Sequence, residues 1–220
     1  KAFVSTAAWH SSANVLVSRF NSGGAGTQTA SFVAGGAAGS DYTDETYEYN
    51  GSGWSTGGTM AGNDRLTTAS GTLTAGLIAG GWNDSNQADS EEYNGTAWTE
   101  GNNLNTARST LAGTGTQAAG LAIGGYVPPN NKAEVEEYNG TSWSEQNDIP
   151  VANRGLAAAG TQTAALAIAG FITDVTAVTE SYDGTNWTEV NDINTARRQS
   201  GSGGTQTSAL FYGGSTPPSE

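Results

Sequence analysis

Between Trp98 and Trp143 the chain reads WTEGNNLNTARSTLAGTGTQAAGLAIGGYVPPNNKAEVEEYNGTSW, and the same order of landmarks recurs along the whole sequence. Trp9, Trp54, Trp98, Trp143 and Trp187 fall 44 or 45 residues apart. The second member of a glycine pair, or of its relic, follows each by 27 residues: Gly35-Gly36, Gly80-Gly81, Gly124-Gly125, Ala169-Gly170 and Gly213-Gly214. A period of this length denotes one supersecondary unit per repeat.

Working outward from each Trp, an apolar residue lies six positions on (Val15, Met60, Leu104, Ile149, Ile193), and an arginine follows at Arg19, Arg65, Arg108, Arg154 or Arg197. A Gly-Thr step then comes 17 residues after the Trp, at Gly26, Gly71, Gly115, Gly160 and Gly204, and a tyrosine (Tyr49, Tyr93, Tyr138, Tyr182) precedes the next Trp by five. These marks divide each unit into four short strands. The first runs from the Arg to the Gly-Thr turn and the second from that turn into the glycine pair. The third ends at the Tyr, and the fourth carries the Trp after an Asn-Gly or Asp-Gly step, a strong hairpin signal of the type I′ kind. Four antiparallel strands per unit make one propeller blade.

The spacing therefore predicts an all-β chain: a five-bladed β-propeller of four-stranded antiparallel blades, forming a single domain over residues 1–220. The last unit ends after two strands, while Ala2-Phe3-Val4 and Trp9 stand in phase with the missing Tyr and Trp strands. Strands from the two termini are expected to complete one blade and close the ring, removing the open edge. The five indoles are expected to pack between neighbouring sheets as structural core. Small residues in the first two strands suit inner strands crowded around a narrow axis.

Asn105-Thr106-Ala107-Arg108, Ala122-Ile123-Gly124-Gly125, Tyr138 and Trp143, repeated across all five units, resemble the kelch family. The closeness of the units to one another, with Gly-Thr-Gln occurring four times, is similar to the kelch-like arrays of bacteriophage structural proteins. The resemblance implies a propeller used for binding or assembly. The chain departs from it in blade number, in Ala169 within a glycine pair, and in Val4 where a Tyr is expected.

Eight Lys plus Arg against 21 Asp plus Glu give a formal charge of −13, which disfavours nucleic acid and anionic lipid as partners. Apolar runs such as Leu121-Ala122-Ile123 are too short to span a bilayer, so no membrane insertion is expected. The chain has no cysteine, which removes disulfides, thiolate nucleophiles and sulfur metal ligands. A start at Lys1 fits a piece of a larger polypeptide, and the Thr, Asn, Ser and Gly texture fits an extracellular or virion-surface setting.

Candidate binding residues follow from the same alignment. Trp82, Tyr126 and Phe171 each come directly after a glycine pair, where the sequence varies most between units, and loops on a rigid scaffold commonly carry binding. They suit sugar rings or partner side chains, or alternatively fill gaps between blades. Asp41 and Asp84 lie in the same variable segments. Solvated acidic loops are the favoured reading there. A calcium loop lacks its glycine and its last glutamate, and glycoside hydrolysis by paired carboxylates is the enzymatic alternative.

Gln28, Gln117, Gln162 and Gln206 form a repeated polar turn that suits one ligand per blade or simply a good turn, and Leu73 interrupts the series. The arginines suit a ring around an anionic ligand or a structural role at the start of a strand. Because the Arg stands ten residues after the Trp in three units and eleven in two, a change of strand face is expected, and the structural role is favoured. His10 is the only histidine, so neither a catalytic triad nor a histidine metal cluster is available. No cofactor or metal is expected. The function expected is that of a non-enzymatic binding or assembly module taking a glycan or protein partner, at one site or at several equivalent ones.

Overall fold

The computed structural model describes residues 11–62, 64–65 and 67–216. Every regular element among them is a strand. The first unit contains β1 (Gly23–Thr27), β2 (Ala30–Ala34), the two-residue strands β3 (Ala37–Ala38) and β4 (Asp41–Tyr42), then β5 (Thr46–Tyr49) and β6 (Trp54–Thr56). The second contains β7 (Thr68–Thr72), β8 (Ala75–Trp82), β9 (Asn86–Tyr93) and β10 (Trp98–Glu100). The third contains β11 (Ala112–Thr116), β12 (Ala119–Val127), β13 (Asn130–Tyr138) and β14 (Trp143–Glu145). The fourth contains β15 (Ala157–Thr161), β16 (Ala164–Phe171), β17 (Val175–Tyr182) and β18 (Trp187–Glu189), and β19 (Gly201–Thr205) and β20 (Ser208–Tyr212) follow.

Four of the sheets have four antiparallel strands, in the orders β1-β2-β5-β6, β7-β8-β9-β10, β11-β12-β13-β14 and β15-β16-β17-β18. The arrangement is that of a β-propeller. Where the sequence predicts five complete blades, four are complete among the described residues, and the sheet of β19 and β20 has two strands. The strands expected to complete it, at Ala2-Phe3-Val4 and Trp9, lie outside the described residues, as does His10.

Successive units meet through their first strands, β1 on β7, β7 on β11, β11 on β15 and β15 on β19. Gly24, Ala69, Gly113, Ala158 and Ser202, one from each of these strands, line a narrow central channel of about 150 Å³. Small residues are required here: a Cβ on Gly113 would stand 2.2 Å from Thr68 Oγ1.

Between blades the core divides into wedges. Phe32, Ala34, Met60 and Ile78 fill the first, and Leu77, Ala79, Leu104, Leu111, Ala122, Tyr138 and Trp143 the second. Leu121, Ile123, Val135, Ile149, Leu156 and Tyr182 belong to the third. The apolar residue six places after each Trp thus plugs a wedge in three cases, as Met60, Leu104 and Ile149.

The indoles are shallower than the sequence suggests. Trp143 is buried, whereas Trp54, Trp98 and Trp187 are half-buried on the last, outermost strand of their sheets, and Trp9 lies outside the described residues. In the second, third and fourth blades the tyrosine takes the deeper place: Tyr93, Tyr138 and Tyr182 are at most 1% exposed, whereas Tyr49 of the first blade is half-buried like Trp54. Each of the three deep rings is stacked or tilted against the Trp of its own blade, with ring centroids 4.7 to 4.9 Å apart. Geometry explains the exchange, because the third strand is covered on both sides and the fourth is an edge.

Two devices join one blade to the next. At the glycine pairs of the second, third and fourth units the strand register shifts, for example between Ile123 and Gly125, and the freed amide points to the neighbouring unit. Gly36, Gly81, Gly125 and Gly170 donate to the carbonyls of Asp64, Arg108, Asn153 and Arg197 at 2.8 to 2.9 Å. Ala169 holds the first place of its pair at φ 60°, in the left-handed region that L residues disfavour. The second device is the repeated glutamine. Gln117 Nε2 donates to the carbonyls of Gly76 and Tyr93 in the preceding blade, Gln162 to Gly120 and Tyr138, and Gln206 to Ala165 and Tyr182. Tyrosine hydroxyls add a third link, Tyr138 to Glu92 at 2.7 Å and Tyr182 to Glu137 at 3.2 Å.

The Asn-Gly steps do not form two-residue type I′ turns. Tyr49 pairs with Trp54 across a four-residue loop in which Gly51 alone has positive φ, at 90°. Asn50 instead accepts the amides of Ser52 and Gly53 at 3.0 Å each, and Asn94, Asn139 and Asp183 repeat this. The side chain supplies the turn that a second left-handed residue would otherwise make.

Candidate functional site

The first strand of each unit runs from the end bearing the aromatic residues to the end bearing the glutamine turn, so the two sets of sequence candidates occupy opposite ends of the channel. At the glutamine end the amides of Gln117, Gln162 and Gln206 are used between blades, as described above. Gln28 has no amide partner among the described residues, and Leu73 packs on the first core wedge.

At the other end Trp82, Tyr126 and Phe171 are held by reciprocal backbone hydrogen bonds. Trp82 pairs with Arg65, Tyr126 with Ser109, and Phe171 with Arg154, each pair exchanging bonds of 2.8 and 3.2 Å. Ala37 and Ser215 pair with Phe20 and Arg198 in the same way. The aromatic residues therefore surround the channel mouth, each half-buried. Asp41 and Asp84 are exposed, Asp41 on β4 and Asp84 in the turn after β8, and neither lines the cavity beside Trp82 and Tyr126.

These pairs resolve the arginine alternation. The residue bridged to the aromatic position is Phe20, Arg65, Ser109, Arg154 or Arg198, and the one before it is Arg19, Asp64, Arg108, Asn153 or Arg197. Neighbours on an extended segment point to opposite sides. Arg19, Arg108 and Arg197 turn into the blade. Arg19 donates to the carbonyls of Gly35 and Glu45 and pairs with the Glu45 carboxylate at 3.0 Å, while Arg197 bonds the Gly213 carbonyl at 2.7 Å. Arg108 and Glu136 form an ion pair with no exposure of either side chain. The second Glu136 oxygen accepts the backbone and side-chain N–H groups of Asn105 at 2.7 and 2.9 Å.

Arg65, Arg154 and Arg198 face the other way and lie over rings. The Arg154 guanidinium carbon is 4.1 Å from the centre of Tyr126 and 4.8 Å from that of Phe171. Arg198 lies 5.3 Å from Phe171, and Arg65 lies 4.5 Å from Tyr42. Tyr126, Arg154, Phe171 and Arg198 thus alternate along the face. The three cations, with Trp82, Tyr126 and Pro128, border a cavity of about 400 Å³. Among the described residues, the ion pairs are Arg19 with Glu45, Arg108 with Glu136 and Lys132 with Glu134, so none of these three guanidinium groups is neutralised. The Nε atoms of Arg65 and Arg198 are shielded from solvent and, like those of Arg19 and Arg108, have no acceptor among the described residues.

Backbone geometry fixes how these arginines enter the strand. Asn21, Thr110, Gly155 and Gln199, each following a bridged residue, share φ values of 53 to 60°. Gly155 donates to Thr110 and Gln199 to Gly155, at 2.8 and 2.7 Å, so a string of amides runs around the mouth. The sequence reading left these three arginines out of the candidate site. The available signal was the eleven-residue spacing from Trp, together with the tandem Arg197-Arg198, which places one arginine on each side.

Two carboxyls beneath the face titrate abnormally. Burial, with help from Asp89 and Glu91, raises Asp64 to about 6. Burial, with help from Glu189, raises Glu180 to about 7. They lie in different blades and do not meet. Among the described residues no group of three or more acidic or imidazole side chains gathers closely enough to hold a metal ion, and no helix is long and apolar enough to cross a membrane. No protein-family model matches the chain, and no curated protein matches it either.

Proposed function

We propose that this chain is a non-enzymatic binding or assembly module, a component of a virion or cell surface, that engages a glycan or protein partner through the face carrying Trp82, Tyr126 and Phe171. The observation that carries the reading is the cavity of about 400 Å³ at which flat aromatic faces and polar donors converge, a combination and a size typical of ligand sites. The test is a screen of immobilised glycans and extracellular proteins against the chain and its Trp82→Ala and Tyr126→Ala variants. Binding lost in both variants supports the reading, and binding unaffected by either removes this face from consideration.

The same proposal includes a closed ring of five kelch-like blades, the fifth completed by residues 2–9. Three observations support it. Trp54 Nε1 donates to the carbonyl of Ala13, four residues after Trp9, just as Trp187 donates to Asn147, four residues after Trp143. Leu210 and Tyr212 of β20 are 52% and 46% exposed, and a cavity of about 450 Å³ opens between Phe211 and the Asp192 to Thr195 segment, where the other sheets carry a third strand. The amide of Gln28, without a partner among the described residues, is placed by the repeat to meet the carbonyl of Ala209, the counterpart of Gly76, Gly120 and Ala165. Hydrogen exchange tests closure: slow exchange along β20 that becomes fast on deletion of residues 1–10 is expected, and fast exchange in the full chain argues for an open array.

A further inference from the structure

We propose that the ligand taken at this face is an acidic saccharide, a sugar bearing a carboxylate, held by Arg65, Arg154 and Arg198. The inference rests on the binding-face reading above and adds the chemical class of the ligand. It begins from an imbalance of charge. A chain of formal charge −13 with eight basic residues places three of them around one cavity and gives none of the three an acidic partner among the described residues.

Position over a ring shapes what those groups can do. A guanidinium held over an aromatic ring by cation–π attraction spends none of its N–H donors on an acceptor there and keeps them for another partner. Arg154 sits between Tyr126 and Phe171, and Arg198 shares Phe171 with it, so both are held before any ligand arrives. Such a fork matches the two oxygens of a carboxylate.

The aromatic residues select the rest of the ligand. Trp82 and Tyr126 border the same cavity, and aromatic rings are flat apolar surfaces of the kind on which a pyranose ring lies. The exposed acidic loops around the site, with Asp41 and Asp84, repel an extended polyanion. A compact ligand with one carboxylate per ring therefore fits better than an acidic polypeptide segment.

The test is calorimetric titration of the full chain with sialyllactose and galacturonic acid, against lactose and the methyl ester of galacturonic acid as uncharged counterparts. Arg154→Met and Arg198→Met keep the aliphatic stem, and circular dichroism verifies their fold. Expected are a preference of about tenfold or more for an acid over its uncharged counterpart, weakened by raised salt, and loss of that preference in either Met variant. Equal binding of acid and neutral sugar, lost in Trp82→Ala and unchanged in the Met variants, overturns the inference while leaving the binding face intact. Absence of binding to every saccharide overturns the inference together with the glycan branch of the reading. Capture of an acidic peptide in place of the sugars overturns the inference and leaves a protein-binding face.

Discussion

Gly115 shows how much of this fold is decided by single residues. It lies at φ 100° just before its turn, and a Cβ there would stand 2.2 Å from the carbonyl oxygen of Ala119 on the paired strand. The counterparts Gly26, Gly71, Gly160 and Gly204 are equally confined, which is why this glycine never varies among the units. Gly115→Ala is expected to destabilise the chain by roughly 3 kcal/mol, from left-handed strain and a collision with backbone that cannot give way. Chemical denaturation measures it, and a loss under 1 kcal/mol contradicts the geometry. The buried Arg108 and Glu136 pair is the second such point. Glu136→Ala leaves an unpaired guanidinium in the interior, at a cost of about 3 to 5 kcal/mol, whereas the double change Arg108→Met with Glu136→Leu recovers most of that loss. A double-mutant cycle by urea unfolding separates the pair from its desolvation, and additive losses refute the coupling.

Elements meet through a repeated vocabulary of links. Gln162 gives its amide to two carbonyls of the preceding blade, at 3.0 and 2.7 Å. Gln162→Ala should cost about 1 to 3 kcal/mol and speed hydrogen exchange at the neighbouring ends of β12 and β13. A change confined to the turn itself means that the glutamine acts only locally. At this scale the sequence was most legible, because the constant phase from Trp to glycine pair carries the order and antiparallel pairing of the four strands in each complete sheet, although not the short β3 and β4 of the first unit. Its blind spots have physical causes. Spacing from Trp told that the arginines alternate but not which set faces outward, since that depends on the pairing of residues 20, 65, 109, 154 and 198 with the strand beyond the glycine pair. Nor could it show that Tyr lies deeper than Trp: size suggests burial of the indole, but edge position decides otherwise. The Asn-Gly dipeptide announced a hairpin correctly while concealing a four-residue loop with a side-chain cap.

For the molecule as a whole, charge and burial act together on stability. Asp64 and Glu180 bind protons more tightly folded than unfolded, with values raised from 3.8 to about 6 and from 4.5 to about 7. Their contribution is complete below the unfolded values and is lost as pH rises through the folded ones. Stability is therefore expected to fall between about pH 4.5 and 7.5, by on the order of 1 to 3 kcal/mol for Glu180 alone. The lowered carboxyls Glu134 and Asp183 act in the opposite sense, but only in more acidic solution. Melting temperatures across that range should decline and then flatten, and Glu180→Gln should remove part of the slope. A midpoint that climbs with pH contradicts the assignment.

The clasp at the glycine pair joins main-chain amide to main-chain carbonyl, whatever side chain stands opposite: aspartate, arginine or asparagine serves equally as the receiving residue. A unit duplicated in frame carries both halves of that coupling with it. The side chains of the rings and cations at the mouth take no part in the clasp, so they are free to change without disturbing the join between units.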